Sequence, residues 1–216
     1  VNGKLFRQFR LPASLYVQKN EKGSRSNGSL EGISFSNDLK YLYASIEEPL
    51  YEDGLKAGIG DSSAWVRIIQ FDIKKGVAVK QFAYQLDAVA YPPVPTNGFK
   101  INGVSEILCI GKKQLLVIER SFSTGLLGCV IKIYLADLSY ATDITQNTSL
   151  QADPSFKPVS KKLLVNMEAI GIPVYNVEGI TFGPLLPNGN RSVIFVADDN
   201  FSATDKTQFL LFEIQN

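Results

Sequence analysis

The sequence predicts an all-β fold made of short antiparallel strands. Apolar runs rich in Val, Ile, Phe and Tyr recur along the chain, and Gly, Asn, Asp or Pro bounds most of them. No segment shows the periodicity of a long amphipathic helix. One short phrase also occurs twice, which indicates that the strands are organised as repeated units.

The repeated phrase places a glutamate before a glycine near the start of a strand. Residues 30–35 read Leu-Glu-Gly-Ile-Ser-Phe, and residues 177–182 read Val-Glu-Gly-Ile-Thr-Phe. In both copies a turn and a second apolar strand follow, and that strand runs into an acidic residue, Glu47 or Asp198. A related strand pair between the two copies leads into Glu119–Arg120. The repeats therefore predict equivalent strands with acidic groups at matching ends.

Taken in order, the strands make two four-stranded units and one three-stranded unit. The first unit comprises Leu30–Ser36, Tyr41–Glu47, Ala64–Asp72 and Val77–Leu86. The second comprises Val104–Ile110, Gln114–Phe122, Gly128–Leu138 and Lys161–Met167. The third comprises Val177–Phe182, Arg191–Ala197 and Gln208–Ile214. One further strand is predicted before the first unit, at Val1–Pro12.

The segments between these strands are predicted to be irregular. Lys19–Gly28 is polar, and three prolines interrupt Ala88–Asn102. A loop around Tyr51–Ser63 joins the second and third strands of the first unit. Ser139–Pro158 is a long insertion before the last strand of the second unit, and loops of this length are often mobile or functional.

Four-stranded units in series favour a β-propeller-like fold with antiparallel blades. Three blades and one strand are too few to close a ring, because propellers contain about four or more blades. We therefore expect residues 1–216 to form a single domain that is an incomplete propeller. The remaining blades belong to a longer chain, or a second copy of the chain completes a ring; an open or differently closed sheet structure is a third alternative.

The composition excludes several classes of function. The 216 residues carry 22 basic and 21 acidic side chains without a basic run, which argues against a nucleic-acid partner. No apolar stretch is long enough to span a membrane, and no signal-peptide pattern occurs, which leaves a processed or truncated start open. The chain has no histidine, so the common Ser-His-Asp and Cys-His systems are absent. Cys109 and Cys129 are predicted to be buried thiols rather than a disulfide.

The two repeated glutamates, Glu31 and Glu178, are the first candidates for a catalytic role. They lie near the starts of the strands that would be innermost in each blade, where they would face a central channel or its mouth. A structural role is equally consistent with the pattern. In that case each carboxylate accepts hydrogen bonds from loop N–H groups and fixes the turn before the glycine.

A second acidic set is predicted at one rim of the assembly and is a candidate calcium site. Glu47, Glu119 and Asp198 follow equivalent apolar strands, and Asp199 and Asn200 add adjacent oxygen ligands. Ca²⁺ takes several oxygen ligands and tolerates irregular loops. The alternatives are a solvated acidic rim or pairing of these carboxylates with arginines of neighbouring blades.

Three further residues are candidates for substrate contact. Arg120 suits either a structural ion pair between blades or a clamp for an anionic substrate, since its planar guanidinium fits both carboxylate and phosphate. Arg25 and Asn27 lie in the loop before Glu31 and would contact a ligand or order that loop.

Several motifs resemble the esterase-like phytase family, also called the phytase-like domain, and they follow one another in the order of that family. They are Arg25-x-Asn27-x-x-Leu30-Glu31-Gly32-Ile33, residues 46–50 (Ile-Glu-Glu-Pro-Leu), 82–87 (Phe-Ala-Tyr-Gln-Leu-Asp), 115–122 (Leu-Leu-Val-Ile-Glu-Arg-Ser-Phe), 133–138 (Ile-Tyr-Leu-Ala-Asp-Leu), Asn176-x-Glu178-Gly179-Ile180 and 198–201 (Asp-Asp-Asn-Phe). The chain departs from the family at Glu48, where glycine is common. It resembles the C-terminal part of the family's domain.

The resemblance implies a propeller-like fold and an ester or phosphoester hydrolase activity. It also implies export, so that the protein would be secreted, periplasmic or cell-surface. One hypothesis is therefore a metal-assisted hydrolase, in which bound Ca²⁺ polarises the substrate, Glu31 or Glu178 accepts a proton from water, and Arg120 offsets negative charge. The other is a non-catalytic propeller that binds a ligand or protein partner, which the missing histidine favours.

Overall fold

The computed structural model describes residues 3–61 and 64–215, and these residues form mainly antiparallel strands. Short 3-10 helices lie at Ala13–Leu15, Tyr51–Asp53 and Met167–Ile170. The strands are β1 (Val17–Gln18), β2 (Lys22–Gly23), β3 (Leu30–Phe35), β4 (Tyr41–Ile46), β5 (Trp65–Asp72), β6 (Val77–Gln85), β7 (Lys100–Gly111), β8 (Gln114–Ser123), β9 (Val130–Asp137), β10 (Ser160–Asn166), β11 (Asn176–Phe182), β12 (Arg191–Asp198) and β13 (Gln208–Ile214). Among the described residues, no helix has the length and apolar character needed to cross a membrane.

The strands form one short ribbon, β1–β2, and three larger sheets, which we call blades. Blade A has the order β3-β4-β5-β6, blade B has the order β7-β8-β9-β10, and blade C has the order β11-β12-β13. Within residues 3–61 and 64–215 the blades follow one another without closing into a ring. The predicted all-β, propeller-like and incomplete arrangement is therefore confirmed. Whether a longer chain or a second copy completes it stays a prediction.

Every strand predicted for the three units is present, and one differs clearly in its bounds. β7 begins at Lys100, inside the segment predicted to be irregular, because residues 100–103 pair with residues 120–123 of β8. The prolines end before this point. The irregular connection therefore stops short of Asn102.

The strand predicted at Val1–Pro12 is wrong for residues 3–12, while Val1 and Asn2 lie outside the described residues. Only Arg10 forms a bridge, in parallel with Val77, and its N–H donates to the Gly76 carbonyl at 2.9 Å. Phe9 and Leu11 both pack onto the core of blade A. The segment covers a face of that blade instead of extending its sheet.

The blades pack face to face, which explains why their central strands are apolar on both sides. One face of blade A packs against blade B through a cluster that includes Ile68, Tyr84, Val104 and Val117. The opposite face of blade B packs against blade C through a second cluster that includes Ile118, Ile131, Val177 and Phe195. β13 is the outermost strand of blade C, and its residues alternate between half-buried and exposed. Burial of these faces supplies the main driving force for assembly of the blades.

The first strands of the blades lie side by side, and each contains a bulge with an extra residue relative to its partner strand at the matching position. β3 and β11 both contact β7. The register shifts at Glu31–Gly32 in β3, at Ser105 in β7 and at Glu178 in β11. Bulges of this kind re-aim a side chain. Glu31 and Glu178 therefore occupy equivalent positions, as the repeated phrase predicts, and Ser105 occupies the third.

The glycine that follows each repeated glutamate has a different role in the two copies. A Cβ atom on Gly32 would lie 2.8 Å from the Ile107 backbone nitrogen and 2.5 Å from the Ser45 hydroxyl oxygen. At Gly179 the nearest atom, the Val196 Cβ, would be 3.5 Å away, which is an ordinary contact. Gly32 is therefore needed for the close approach of β3 to β7, and Gly179 is not needed for packing.

Candidate functional site

A pocket of about 570 Å³ lies where the ends of β4, β8 and β11, one strand from each blade, come together. We call it the Arg120 pocket. Six of the ten predicted site residues line it: Asn27, Glu31, Glu47, Arg120, Glu178 and Asn200. The rest of the wall comprises Phe99, Ile101, Phe122, Leu126, Leu127, Gly128, Cys129, Tyr175, Asn176, Thr204 and Asp205.

Arg120 joins the three blades at this pocket. Its Nη2 donates to Glu47 Oε1 of blade A at 2.7 Å, and its Nη1 donates to Asn176 Oδ1 of blade C. Nη1 also lies 3.6 Å from Glu178 Oε1. The Arg120 side chain is 18% exposed, so the guanidinium is held in place and still faces the pocket. These contacts are the structural ion pair between blades, and the clamp for an anionic substrate stays a prediction.

Glu47 is the buried partner of this arginine. Its side chain is only 4% exposed, and burial raises its pKa above the ordinary value. The Arg120 charge opposes this rise, and the charge of Glu31 adds to it. The backbone carbonyl of Glu47 also accepts from the Val104 N–H at 3.1 Å. Glu47 therefore fixes blade A to blade B and orients the guanidinium.

Glu31 and Glu178 are the carboxylates that remain accessible from the pocket. Burial of part of the side chain raises the pKa of Glu31, Arg120 lowers it, and Glu178 raises it further. Glu178 accepts from Asn176 Nδ2 at 2.7 Å. In the described residues neither carboxylate accepts from a backbone N–H; Glu106 does so instead, from Ile33 and Ile107 at 2.8 Å. This geometry favours a role in the pocket over the turn-fixing alternative.

Cys129 is the thiol in the pocket wall. Both cysteines are free, as predicted, but only Cys109 is fully buried, and Cys129 is half-buried. Burial raises the pKa of Cys129 to about 11, although Arg120 opposes the shift. The group is therefore protonated at neutral pH, and a protonated thiol is a poor nucleophile.

Asn27 lines the pocket, whereas Arg25 does not. Arg25 donates from Nε to the Pro49 carbonyl and from Nη2 to the Gly54 carbonyl, both at 2.9 Å. Its guanidinium also lies over the Tyr51 ring, 4.3 Å from the centroid. These contacts order the loop after β4, which is the second of the two roles considered for Arg25.

The acidic run at the end of β12 leads into a turn, and only its last residue, Asn200, reaches the pocket. The Asp198 carboxylate accepts from the Asn200 N–H at 3.1 Å, and the Asp199 carboxylate accepts from the Phe201 N–H at 3.0 Å. Asn200 Oδ1 accepts from Asn176 Nδ2 at 3.0 Å. The carboxylates of Asp198 and Asp199 therefore accept hydrogen bonds within the turn. Asn200 instead contacts Asn176, which accepts a hydrogen bond from Arg120.

The structure places Glu119 away from the other predicted metal ligands. It is 1% exposed and lies between blades A and B, where it accepts from the Tyr84 hydroxyl at 2.8 Å and from Lys161 Nζ at 2.7 Å. Its second oxygen accepts from the Asp87 N–H and from Asn102 Nδ2. Adjacent residues of a strand point to opposite faces, so Glu119 faces this buried network while Arg120 faces the pocket.

The acidic residues around Arg120 are arranged about its guanidinium. Within the described residues, no three Asp, Glu or Cys side chains converge in a geometry that could hold a metal. The carboxylates nearest the Arg120 guanidinium are those of Glu31, Glu47 and Glu178, and the guanidinium is the cation that offsets their charge. The acidic residues therefore do not repel one another without compensation. Calcium binding stays a prediction of the sequence.

Sequence reasoning missed several polar residues of the pocket, and Asn176 is the most important. It contacts Arg120, Glu178 and Asn200. Its position immediately before the second copy of the repeated phrase was a usable signal. Thr204 and Asp205, in the loop between β12 and β13, gave no such signal because that loop shares no phrase with the other units.

Comparison with known proteins identifies the family. Neither a curated protein nor a solved structure matches the chain significantly. The phytase-like family, described as "esterase-like activity of phytase", matches residues 1–201 of the 216. Membership supports a hydrolase-type function. With a match over nearly its whole length, the chain belongs to the phytase-like family.

Proposed function

We propose that the Arg120 pocket hydrolyses a small ester or phosphoester that carries negative charge near the reacting bond. The observation that carries this proposal is the Arg120 guanidinium, which three blades hold at the wall of a cavity of about 570 Å³. Ligand pockets typically measure about 300–1,000 Å³. A fixed, partly desolvated guanidinium can bind phosphate or carboxylate oxygens and offset the charge that develops on an oxyanion.

Glu31 is the residue that we assign to proton transfer. Its raised pKa brings it closer to the range in which a carboxylate works as a base or an acid, and it lines the same pocket as Arg120. Water would attack the phosphorus or the acyl carbon and lose its proton to Glu31. As the bond to the alcohol oxygen breaks, Glu31 would give that proton to the leaving alcohol and return to its carboxylate form. Glu178, beside Arg120, is the second candidate for that proton.

No covalent intermediate is part of the proposal. The chain has no histidine to activate a hydroxyl group, and burial keeps the Cys129 thiol protonated. Direct attack by water needs neither. The metal-assisted form of this hypothesis would place Ca²⁺ among the acidic residues, and the proposed steps do not depend on it.

A non-catalytic binding role is the second candidate. Arg120 already has two hydrogen-bond partners, and the described part of the pocket offers no activated nucleophile. Such a site binds an anion without converting it. Export of the protein, which the family implies, is compatible with both candidates and is itself a proposal that localisation of the tagged full-length protein would test.

The test uses p-nitrophenyl phosphate as the anionic substrate and p-nitrophenyl acetate as a comparison ester without negative charge, with purified protein of the full 216 residues. Glu31→Gln keeps the size of the side chain and should lower kcat by about 100-fold or more, the range expected for loss of a general base. Arg120→Lys keeps the charge but loses the fork of two hydrogen bonds and should raise KM for the phosphate. Glu21→Gln is the control, because Glu21 is exposed and outside the pocket.

The outcomes separate the two candidates. Hydrolysis that survives Glu31→Gln unchanged would show that Glu31 is not the base. If the wild type hydrolyses neither substrate but binds phenyl phosphate in a way that Arg120→Lys weakens, the binding role is correct. If it neither hydrolyses nor binds, both candidates are wrong.

A further inference from the structure

A second cavity, of about 680 Å³, lies between blades A and B at the ends of their strands opposite to the Arg120 pocket. The hairpin turns β3–β4, β5–β6 and β7–β8 and the segment after β9 surround it. We call it the Tyr43 cavity. None of the residues that line it belongs to the Arg120 pocket, so the proposed hydrolase function leaves it unexplained.

A row of polar side chains crosses blade A at this cavity. Tyr43 on β4 pairs with Gln70 on β5, and Gln70 pairs with Lys80 on β6. Directly paired residues of an antiparallel sheet place their side chains next to each other on one face. Further along the same face, Ile68 and Phe82 pack against blade B. The polar row therefore marks the point where the interface between the blades opens into the cavity.

Two members of the row are buried residues whose polar groups open into the cavity. Tyr43 is 3% exposed and Gln70 is 8% exposed, and both side chains line the cavity. In the described residues no donor or acceptor pairs with the Tyr43 hydroxyl or the Gln70 amide, and neither group is sealed off from the cavity. Gln81 and Asn102 are buried to a similar degree, and their amides do have partners within the chain. Because the described chain supplies no partner for them, the Tyr43 hydroxyl and the Gln70 amide are available to a molecule in the cavity.

The charge around the cavity indicates the sign of that partner. Four lysines line it, namely Lys75, Lys80, Lys112 and Lys113, against two aspartates, Asp38 and Asp72. Each aspartate lies within 4 Å of its own lysine: Asp38 is 3.3 Å from Lys40, and Asp72 is 3.9 Å from Lys75. Lys80, Lys112 and Lys113 form no salt bridge within the described chain. The excess positive charge therefore favours an anion.

The remaining wall indicates that the ligand also has an apolar part. Tyr41, Phe82, Leu138 and Ala141 contribute rings and methyl groups to the cavity. A ligand with an aromatic or aliphatic group would bury these surfaces, whereas a free inorganic ion would leave them exposed to water.

We propose that the Tyr43 cavity binds a small organic anion, a carboxylate or phosphate monoester with an apolar body. The Tyr43 hydroxyl and the Gln70 amide donate to its charged group, and the lysines of the surrounding turns attract it. The cavity is independent of the Arg120 pocket. It binds its ligand whether or not that pocket is catalytic.

The experiment is a ¹H–¹⁵N NMR titration of the 216-residue protein with four probes. Benzoate and phenyl phosphate test the two anionic groups, inorganic phosphate tests the anion alone, and benzyl alcohol tests the apolar body alone. We expect saturable shifts of the Gln70 side-chain amide and of the Lys112 and Lys113 backbone amides with at least one of the two organic anions. Inorganic phosphate and benzyl alcohol should bind at least tenfold more weakly.

Variants then test the residues separately. Lys80→Gln combined with Lys112→Gln should weaken binding about tenfold, because the two changes remove two exposed positive charges that attract the anion. Lys162→Gln is the control, since Lys162 lies on the outer strand of blade B and is exposed. Arg120→Lys should leave the affinity unchanged, which separates this cavity from the Arg120 pocket.

The variant Gln70→Leu distinguishes a ligand-binding role of the Gln70 amide from a structural role, because the two roles predict different changes in Tm. Leucine fills the same space without an amide, so the variant should lose affinity while its Tm stays the same or rises, because no hydrogen bond within the described chain is lost. Tyr43→Phe should weaken binding with little change in Tm for the same reason. A fall in Tm, or a failure to fold, in Gln70→Leu would show that its amide serves the protein itself and would overturn the proposal. Equal binding of benzyl alcohol and benzoate, or shifts confined to the Arg120 pocket, would also overturn it.

Discussion

Loss of the buried charge on Asp53 should release the insertion between β9 and β10 and destabilise the whole fold. Asp53 accepts from Nε and Nη2 of Arg67, both at 2.7 Å, and the two side chains are 0% and 2% exposed. Arg67 also donates to the Asn147 carbonyl at 3.0 Å, and Asp53 accepts from the Leu150 N–H at 2.9 Å. The pair thus joins blade A to the insertion.

The magnitude follows from the burial of the pair. Asp53→Asn keeps the shape of the side chain but leaves the Arg67 charge buried without a counter-charge, which costs about 3–5 kcal/mol of unfolding free energy. For a chain of this size that corresponds to a fall in Tm of about 10 °C. The matched control is Asp153→Asn, in the same insertion, where the carboxylate is exposed and accepts only from the Ser155 N–H. The control should stay within about 0.5 kcal/mol of the wild type.

Two measurements test this reasoning. Urea denaturation gives the change in unfolding free energy, and hydrogen exchange followed by mass spectrometry reports opening of residues 139–158. Faster exchange in that segment and a large loss of stability are expected for Asp53→Asn alone. Asp53→Leu combined with Arg67→Met removes both charges and should cost far less than either change by itself. If Asp53→Asn costs less than about 1 kcal/mol, the ion pair does not hold the insertion.

Three further predictions concern the repeated phrase and the Arg120 pocket. Gly32→Ala should cost about 1–3 kcal/mol by overpacking β3 against β7, while Gly179→Ala should be nearly neutral; equal effects in urea denaturation would contradict the packing argument. If the acidic residues hold Ca²⁺ as the sequence predicts, millimolar Ca²⁺ raises the Tm, and Asp198→Asn and Glu178→Gln weaken that response; an unchanged Tm would rule out calcium binding. Because the pKa of Glu31 is raised above 4.5, hydrolysis that uses its carboxylate as a base should increase with pH through an inflection above that value, and Glu31→Gln should remove the inflection from the kcat profile.

The apolar runs and the repeated phrase were together enough to predict the strands of all three blades, and local register explains where the prediction of the site went wrong. In blades A and C the last pair before the bulge is Leu30 with Ile46 and Val177 with Ala197, so Glu47 and Asp198 come one residue later. In blade B the corresponding pair is Val104 with Glu119, and Arg120 comes one residue later. The sequence showed an acid after an apolar strand in each unit. It did not show that the pairing is shifted by one residue in the second unit, which turns Glu119 to the opposite face.

The Tyr43 cavity could not be predicted from the sequence, for a different reason. Tyr43, Gln70 and Lys80 are far apart in the sequence and have no common motif, and only the pairing of β4 with β5 and of β5 with β6 brings them into one row. Each would pass as an ordinary strand residue. Strand pairing over such distances depends on the packing of whole blades, so the row is a property of the assembled sheet.

The same register explains why the Arg120 pocket carries a balanced charge. Glu47, Arg120 and Asp198 occupy equivalent positions in blades A, B and C, and a strict repeat would place an acid at each. The arginine in the middle blade replaces one repulsive contact by an ion pair to Glu47 at 2.7 Å and lies 3.6 Å from Glu178. Because its partners come from different blades, the guanidinium is fixed only when the blades are packed together. Binding of an anion at Arg120 therefore depends on the assembled propeller, and any change that loosens blade A from blade B should weaken that binding before it unfolds the sheets.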